Sequence, residues 1–365
     1  MAPVLPAVDD LPASMVVSVN AKPQLVKDLA SQDITCIPDS FILPEHERPC
    51  TAIQTEEVQI PVIDLADFHG EGRSKALKEI TEACEDWGFF QVINHGVDIS
   101  TIQNMWAVAR EFFDMPLEDK LKYYTDDVTK PTRLGTSYNP TKESKLHWRD
   151  YFHQICNPLP DVIETWPDKP ASYREVALEY TQALKSLAEQ LFAALAESLG
   201  LHSTIFKEVF KAPDQHLMLN LYPPCPTPEL TFGLASHSDP GGVTILLQDE
   251  VEGLQVFHKG DWITVKPITN ALVINLGDAV QVFSNGRFKS VNHRALVNVN
   301  LRMSIPYFFD PAKDVTLAPF KSLLDENHPP LYREIVFKDH LLGFASKSLV
   351  GKFAVDYLKI TDDQE

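Results

Sequence analysis

Hydrophobic spacing changes character twice along this chain. Residues 1 to about 57 are rich in proline and shift pattern often, with "AKPQLVKDLA" the only helical patch. A strand is expected in "IPVIDLADF", followed by a helix in "SKALKEITEACEDWG" that sets Leu77, Ile80, Cys84 and Trp87 on one face and closes at Gly88. "FFQVINHG" reads as a buried strand ending in a turn, with His95 at its close and His69 in a polar loop upstream. Ser100 opens a second amphipathic helix carrying Ile102, Met105, Trp106, Ala109 and Phe113. The longest apolar stripe is Val176, Ala183, Leu187, Leu191, Ala194 and Leu195, ending at Gly200, and Ser172 with Glu175 has the spacing of a capping box. That stripe predicts a backbone helix on which a sheet lies. From about residue 216 the period shortens to short segments separated by turns: "HLMLNLY", "VTILLQ", "GLQVFH", "WITVKP", "ALVINLG", "KSVNHRALV" and "RMSIPYFFD". Strands of this length and spacing predict a sandwich or jelly roll.

Composition narrows the class. The chain has 365 residues, 44% hydrophobic and 23% charged, which suits a globular protein with a sizeable core. A formal net charge of −19 argues against nucleic-acid binding, which needs clustered Lys and Arg. No apolar run is long enough to span a membrane, and the N-terminus lacks the basic start of a signal peptide. The five cysteines (Cys36, Cys50, Cys84, Cys156 and Cys225) are scattered, odd in number and free of CxxC. They form neither a disulfide framework nor a zinc site, so a reducing, cytoplasmic location is expected.

Candidate chemistry begins in "LASHSDPGGVT". His237 and Asp239 are two apart at the end of a strand-like run, where alternation sends both side chains to one side. An HxD triplet alone is a weak signal. His293, in "SVNHRALV" 54 residues beyond Asp239, adds a third candidate from another strand of the same β-rich half. Two imidazoles and a carboxylate occupy one face of an Fe(II) octahedron and leave three positions open. Catalytic zinc, with three protein ligands and a water, is the competing metal. Nine residues on, Arg302 and Ser304 form another i, i+2 pair. A guanidinium grips a carboxylate through two parallel bonds, and a hydroxyl adds a third. A dicarboxylate such as 2-oxoglutarate could chelate iron at one end and be held there at the other. A zinc hydrolase has no use for that clamp, so iron is favoured.

"NLYPPCP", "SHSDPGG", "NLGD", "NHR" and "RMSIPYFF", in this order, resemble the plant soluble 2-oxoglutarate/Fe(II)-dependent dioxygenases, as do "IPVIDLADF" and "ACEDWGFFQVINHG" upstream. The resemblance covers roughly residues 35 to 358. It implies a mainly β fold with flanking helices (α+β), a double-stranded β-helix or jelly roll preceded by a helical N-terminal region. It implies His237, Asp239 and His293 as catalytic iron ligands, Arg302 and Ser304 as the cosubstrate clamp, and Asn220 and Tyr222 as further cosubstrate contacts. Fe(II), 2-oxoglutarate and O2 would be required, with ascorbate as reductant and succinate and CO2 as co-products. The expected organisation is an extension over 1–57, an N-terminal dioxygenase region over 58–170, scaffold helices over 171–212, the jelly roll over 213–313 and a helical segment over 314–365.

The stretch from "TRLGTSYNPTKESKLHWRDYFHQI" to "PASYREV" resembles the branch holding flavone synthase I, flavanone hydroxylases and the salicylate hydroxylases related to downy mildew resistance. The resemblance places substrate contacts at Tyr151, His153, Phe308 and Asp310. Met218 stands where anthocyanidin synthase-type relatives carry lysine, which favours a less polar flavanone such as naringenin, desaturated to a flavone or hydroxylated at carbon 2 or 3. Ring hydroxylation of salicylate or another small phenolic acid is the enzymatic alternative. A non-catalytic small-molecule receptor on the same scaffold is the rival of another class. Degenerate members of such folds usually lose a metal ligand or the arginine, and every such position is filled here. No nucleic-acid or membrane partner is expected, and the chain is read as a monomer.

Overall fold

The computed structural model describes residues 24–49, 58–127, 129–137, 144–345 and 353–360. Its main strands are β1 (Val62–Asp64), β2 (Phe89–Ile93), β3 (Thr132–Thr136), β4 (Asp150–Ile155), β5 (Asp214–Tyr222), β6 (Leu234–His237), β7 (Val243–Gln248), β8 (Leu254–His258), β9 (Asp261–Thr264), β10 (Leu272–Leu276), β11 (His293–Ala295) and β12 (Arg302–Asp310), with a separate short pair, Thr316–Leu317 and Ile335–Val336. Among the described residues eight of them form one sheet, ordered β1-β2-β10-β7-β12-β5-β4-β3, and four form a second, ordered β6-β11-β8-β9. β1 and β2 pair in parallel, and the other ladders are antiparallel. This is the expected double-stranded β-helix with helices on its outside.

Side-chain alternation explains why the large sheet has one apolar and one chemical face. On β12, Met303, Ile305, Tyr307 and Phe309 enter the main hydrophobic core, as do Leu217, Leu219 and Leu221 of β5 and Val243, Ile245 and Leu247 of β7. Their neighbours Ser304, Pro306, Phe308, Met218, Asn220, Thr244 and Leu246 line a cavity on the opposite face. The helix Tyr173–Ser198 packs on the apolar face against β7 and β12, flanked by the helices Arg73–Asp86 and Ile99–Asp114. Leu187, Leu191, Ala194 and Leu195 of the predicted stripe are all buried there. A smaller cluster of Phe89, Leu254, Val256, Val265 and Val273 joins the two sheets.

Two expected helix starts differ. Ser172 caps nothing: its angles (φ −84°, ψ −3°) are already helical, and its side chain makes no capping bond. The Tyr173 N–H donates to Pro170 O at 2.9 Å, so a turn rather than an extended residue leads into the helix. The second helix starts at Ile99, one residue before the expected Ser100, with Asp98 as its N-cap. Asp98 is extended and accepts from the Ser100 N–H at 2.9 Å, stabilising the N-terminus of the helix Ile99–Asp114. Cys36, Cys84, Cys156 and Cys225 are free thiols, and Cys50 lies outside the described residues. Among the described residues no helix is long and apolar enough to cross a membrane.

Candidate metal centre

Antiparallel register brings the histidines together. His237 ends β6, His293 begins β11, and the two are direct partners in the ladder, with ring centroids 4.2 Å apart. Asp239 lies beyond the end of β6, in the turn before β7, so strand alternation alone does not place it. Backbone contacts from the start of the helix Asp278–Phe283 do: the Asp278 N–H donates to Asp239 O at 2.8 Å and the Gly277 N–H to Gly242 O at 2.7 Å. A Cβ on Gly277 would stand 2.3 Å from Gly241 O, so only glycine permits this approach.

Asp239 Oδ1 is 3.7 Å from His237 Nε2 and 3.7 Å from His293 Nε2. One ligand atom from each of the three residues lies within 4.8 Å of the other two. Asp239 Oδ2 accepts from Thr244 Oγ1 at 2.5 Å and Asn275 Nδ2 at 2.8 Å, which leaves Oδ1 facing the imidazoles. His237 Nδ1 is 2.8 Å from Ala235 O, and the tautomer that donates there keeps the Nε2 lone pair toward Asp239. Burial, reinforced by the nearby His293, pushes the His237 pKa down to about 3. Burial alone would raise Asp239, but His293, His237 and the bonds from Thr244 and Asn275 outweigh it and hold the carboxyl below its ordinary range. A neutral imidazole and an ionised carboxylate are the forms a metal requires. Two imidazole nitrogens and one carboxylate oxygen converging from one side fit ferrous iron with open positions.

Arg302 is 2% exposed, and its ladder partner is Tyr222. Its Nε donates to Val251 O at 3.1 Å and its Nη2 to Gln248 Oε1 at 3.1 Å, while its Cζ lies 5.0 Å from the centre of the Tyr222 ring. The stem runs over Gly253, where a Cβ would come within 2.7 Å of Arg302 Cδ. Ser304 is the partner of Asn220, whose Nδ2 is 3.4 Å from Ser304 Oγ. Arg302, Ser304, Asn220 and Tyr222 line one cavity of about 80 Å³ together with His237, Asp239 and His293.

The four expected substrate contacts divide. Phe308 lines that cavity with Met218, Leu246 and Pro306, whereas Tyr151, His153 and Asp310 are not on its wall among the described residues. His153 Nε2 is 3.1 Å from His216 Nδ1, and its ladder partner is Met218. Asp310 accepts from the Gly242 N–H at 2.9 Å, and burial, against that bond, raises its pKa to about 7. The Tyr151 ring lies under the Arg149 guanidinium, 5.1 Å from its Cζ.

Residues 213–311 match the family model of the 2OG-Fe(II) oxygenase superfamily, and residues 60–194 match that of the non-haem dioxygenase in morphine synthesis N-terminal. Protein DMR6-LIKE OXYGENASE 1 of Arabidopsis thaliana is 42% identical over 338 residues, covering 92% of this chain and 96% of that protein. The chain belongs to the 2OG-Fe(II) oxygenase superfamily. Flavanone 3-dioxygenase 2 of Oryza sativa subsp. japonica is 42% identical over 315 residues, 86% of this chain and 91% of that one. Among solved structures, JOX2 in complex with 2OG, Fe and JA superimposes with a TM-score of 0.84 at 36% identity, covering 93% of this chain and 99% of that one. As a member of this superfamily the chain is an Fe(II)- and 2-oxoglutarate-dependent dioxygenase.

Sequence reasoning missed Thr244, Asn275, Gln248 and Arg149. Thr244 and Asn275 interrupt the apolar runs "VTILLQ" and "ALVINLG", and a polar residue inside a buried strand is itself a signal. Gln248 and Arg149 carried no comparable signal, because each ends or precedes a strand where polar residues are ordinary.

Proposed function

We propose that His237, Asp239 and His293 hold the ferrous ion and that Arg302 and Ser304, with Asn220 and Tyr222 beside them, bind 2-oxoglutarate. The observation that carries this is one cavity wall shared by all seven side chains. The bound iron supplies the oxidising chemistry, which consumes dioxygen and 2-oxoglutarate and yields succinate and CO2. The chain's own residues do the rest. Thr244 and Asn275 hold Asp239 Oδ2 and so turn Oδ1 toward the two imidazoles as the coordinating oxygen. Arg302, buried and bonded only to neutral acceptors, offers its remaining N–H groups to a carboxylate. Phe308, Met218, Leu246 and Pro306 make an apolar wall that keeps water from the oxidised C–H bond.

For the prime substrate we infer a flavonoid, a flavanone such as naringenin, either desaturated or hydroxylated. The apolar wall with Phe308 placed to stack on an aromatic ring supports this, as does the likeness to the rice flavanone dioxygenase. A small phenolic acid such as salicylate is the second reading. The size of the cavity favours it, at about 80 Å³ against roughly 300–1,000 Å³ for drug-sized ligands; a flavanone needs Met218 or Phe308 to rotate away. Purified protein with Fe(II), ascorbate and 2-oxoglutarate tests both by mass spectrometry. Conversion of naringenin with coupled succinate release supports the first reading, and conversion of salicylate alone replaces it with the second. Succinate release that no phenolic substrate stimulates removes both.

A further inference from the structure

We propose that Arg149 is a recognition cation in this cavity, the seat of an acidic oxygen on the prime substrate, whether the phenolate of a flavonoid or the carboxylate of a phenolic acid. The inference rests on the reading of the cavity given above and deepens it. Arg149 lies one residue before β4, is 2% exposed, and lines the cavity beside His237, Asn220 and Tyr222. All of its partners are neutral. Nη2 donates to Ser137 O at 2.9 Å, Nη1 donates to Asn220 Oδ1 at 3.3 Å, and the Tyr151 ring faces the guanidinium. Nε is buried with no acceptor.

Among the described residues no carboxylate forms an ion pair with Arg149. Its nearest acid in sequence, Asp150, is committed elsewhere. Asp150 Oδ1 accepts from the Val26 N–H at 2.8 Å and from Thr136 Oγ1 at 2.7 Å, and Oδ2 accepts from the Lys27 N–H at 2.8 Å. A buried guanidinium without a counter-charge is costly in a protein interior, and a bound anion relieves that cost. The cosubstrate does not need this second cation. Ferrous iron and Arg302 carry three positive charges, and Asp239 with the two carboxylates of 2-oxoglutarate carries three negative ones. Arg294 also lines the cavity, but its Nε donates to Gln255 Oε1 at 2.8 Å and its Cζ lies 4.0 Å from the centre of the Trp262 ring. Arg149 therefore adds positive charge that iron, Arg302, Asp239 and 2-oxoglutarate do not cancel among themselves, and an acidic group on the substrate would offset it.

The test uses the full chain loaded with Fe(II) and 2-oxoglutarate under anaerobic conditions, with ligand binding read by calorimetry. The probes are naringenin against its fully O-methylated ether, and salicylate against its methyl ester. In the wild type at least one acidic probe binds about tenfold or more tighter than its methylated partner, as loss of a charge-assisted bond requires. Arg149→Gln abolishes that preference while 2-oxoglutarate affinity, which also reports folding, stays within about twofold, and Arg149→Lys restores part of it. Equal affinity for both members of each pair in the wild type overturns the proposal without any variant, and so does failure of all four probes to bind. A variant that weakens 2-oxoglutarate while keeping the acid preference assigns Arg149 to the cosubstrate instead. Preference for salicylate with no binding of naringenin removes the flavanone reading and leaves the role of Arg149 standing.

Discussion

Arg302 offers the most quantitative test of the cosubstrate site. Arg302→Met keeps most of the stem that packs over Gly253 and removes the guanidinium. In the folded protein that guanidinium already spends Nε on Val251 O and Nη2 on Gln248 Oε1, both at 3.1 Å. Among the described residues no carboxylate forms an ion pair with it; Asp249 feels its charge through space while accepting from the Met303 N–H. Removing one partner of a buried ion pair costs about 3–5 kcal/mol, mostly by stranding the other charge. At about 1.4 kcal/mol per decade, the Michaelis constant for 2-oxoglutarate should rise roughly 10²- to 10⁴-fold. Iron affinity should change little, because no metal ligand contacts Arg302. The two lost neutral bonds lower stability by about 1 kcal/mol each, a modest fall in unfolding midpoint. The assay is succinate formation against 2-oxoglutarate concentration, paired with anaerobic Fe(II) titration of the same preparation. A folded variant with an unchanged 2-oxoglutarate requirement refutes the assignment, and so does a variant whose iron affinity falls as far as its cosubstrate affinity.

Other consequences are equally direct. Asn275→Ala frees the Asp239 oxygen held at 2.8 Å and should weaken Fe(II) binding about 10- to 100-fold in an anaerobic titration, whereas unchanged affinity means that Thr244 orients Asp239 alone. Gly253→Ala places a methyl 2.7 Å from Arg302 Cδ; displacement of the guanidinium should raise the Michaelis constant for 2-oxoglutarate about tenfold with iron binding intact. His216, whose pKa burial lowers from 6.5 to about 4, should make stability pH-dependent. Because the folded value is depressed, its contribution is full above pH 6.5 and declines as pH falls toward 4. From pH 6.5 to 4.5 the wild type should lose about 2–3 kcal/mol more than His216→Asn in chemical unfolding, at about 1.4 kcal/mol per unit. Asp310, raised to about 7, acts in the opposite sense in both proteins and cancels in that comparison. Parallel curves contradict the assignment.

How much was legible in the sequence follows from the range of each interaction. Alternation in "RMSIPYFFD" was readable because Met303, Ile305, Tyr307 and Phe309 all meet one apolar layer, so the facing set, Arg302 to Phe308, had to share the other side. The convergence of His237, Asp239 and His293 was readable as a ligand set, but not its cause. Asp239 is placed by backbone bonds from Asp278 and Gly277, about 40 residues away, which no local pattern encodes. Ser172 shows the opposite failure: the capping-box letters are present, but the turn from Pro170 fixes the backbone in a form that cannot use them. Arg149 was invisible for a third reason. An arginine before a strand is ordinary on a surface, and only the pairing of β4 with β5, with Asp150 turned toward Val26 and Lys27, shows that it is buried without a counter-charge.

The proposed function requires that His237, Asp239 and His293 hold one ferrous ion. Anaerobic calorimetric titration of the metal-free protein with Fe(II), repeated with Asp239→Ala, measures this directly. It should give one ion per chain in the wild type, no measurable binding in the variant, and 2-oxoglutarate affinity that rises in the wild type only when iron is present. Retention of full iron affinity without the Asp239 carboxylate, or 2-oxoglutarate binding indifferent to iron, would contradict it.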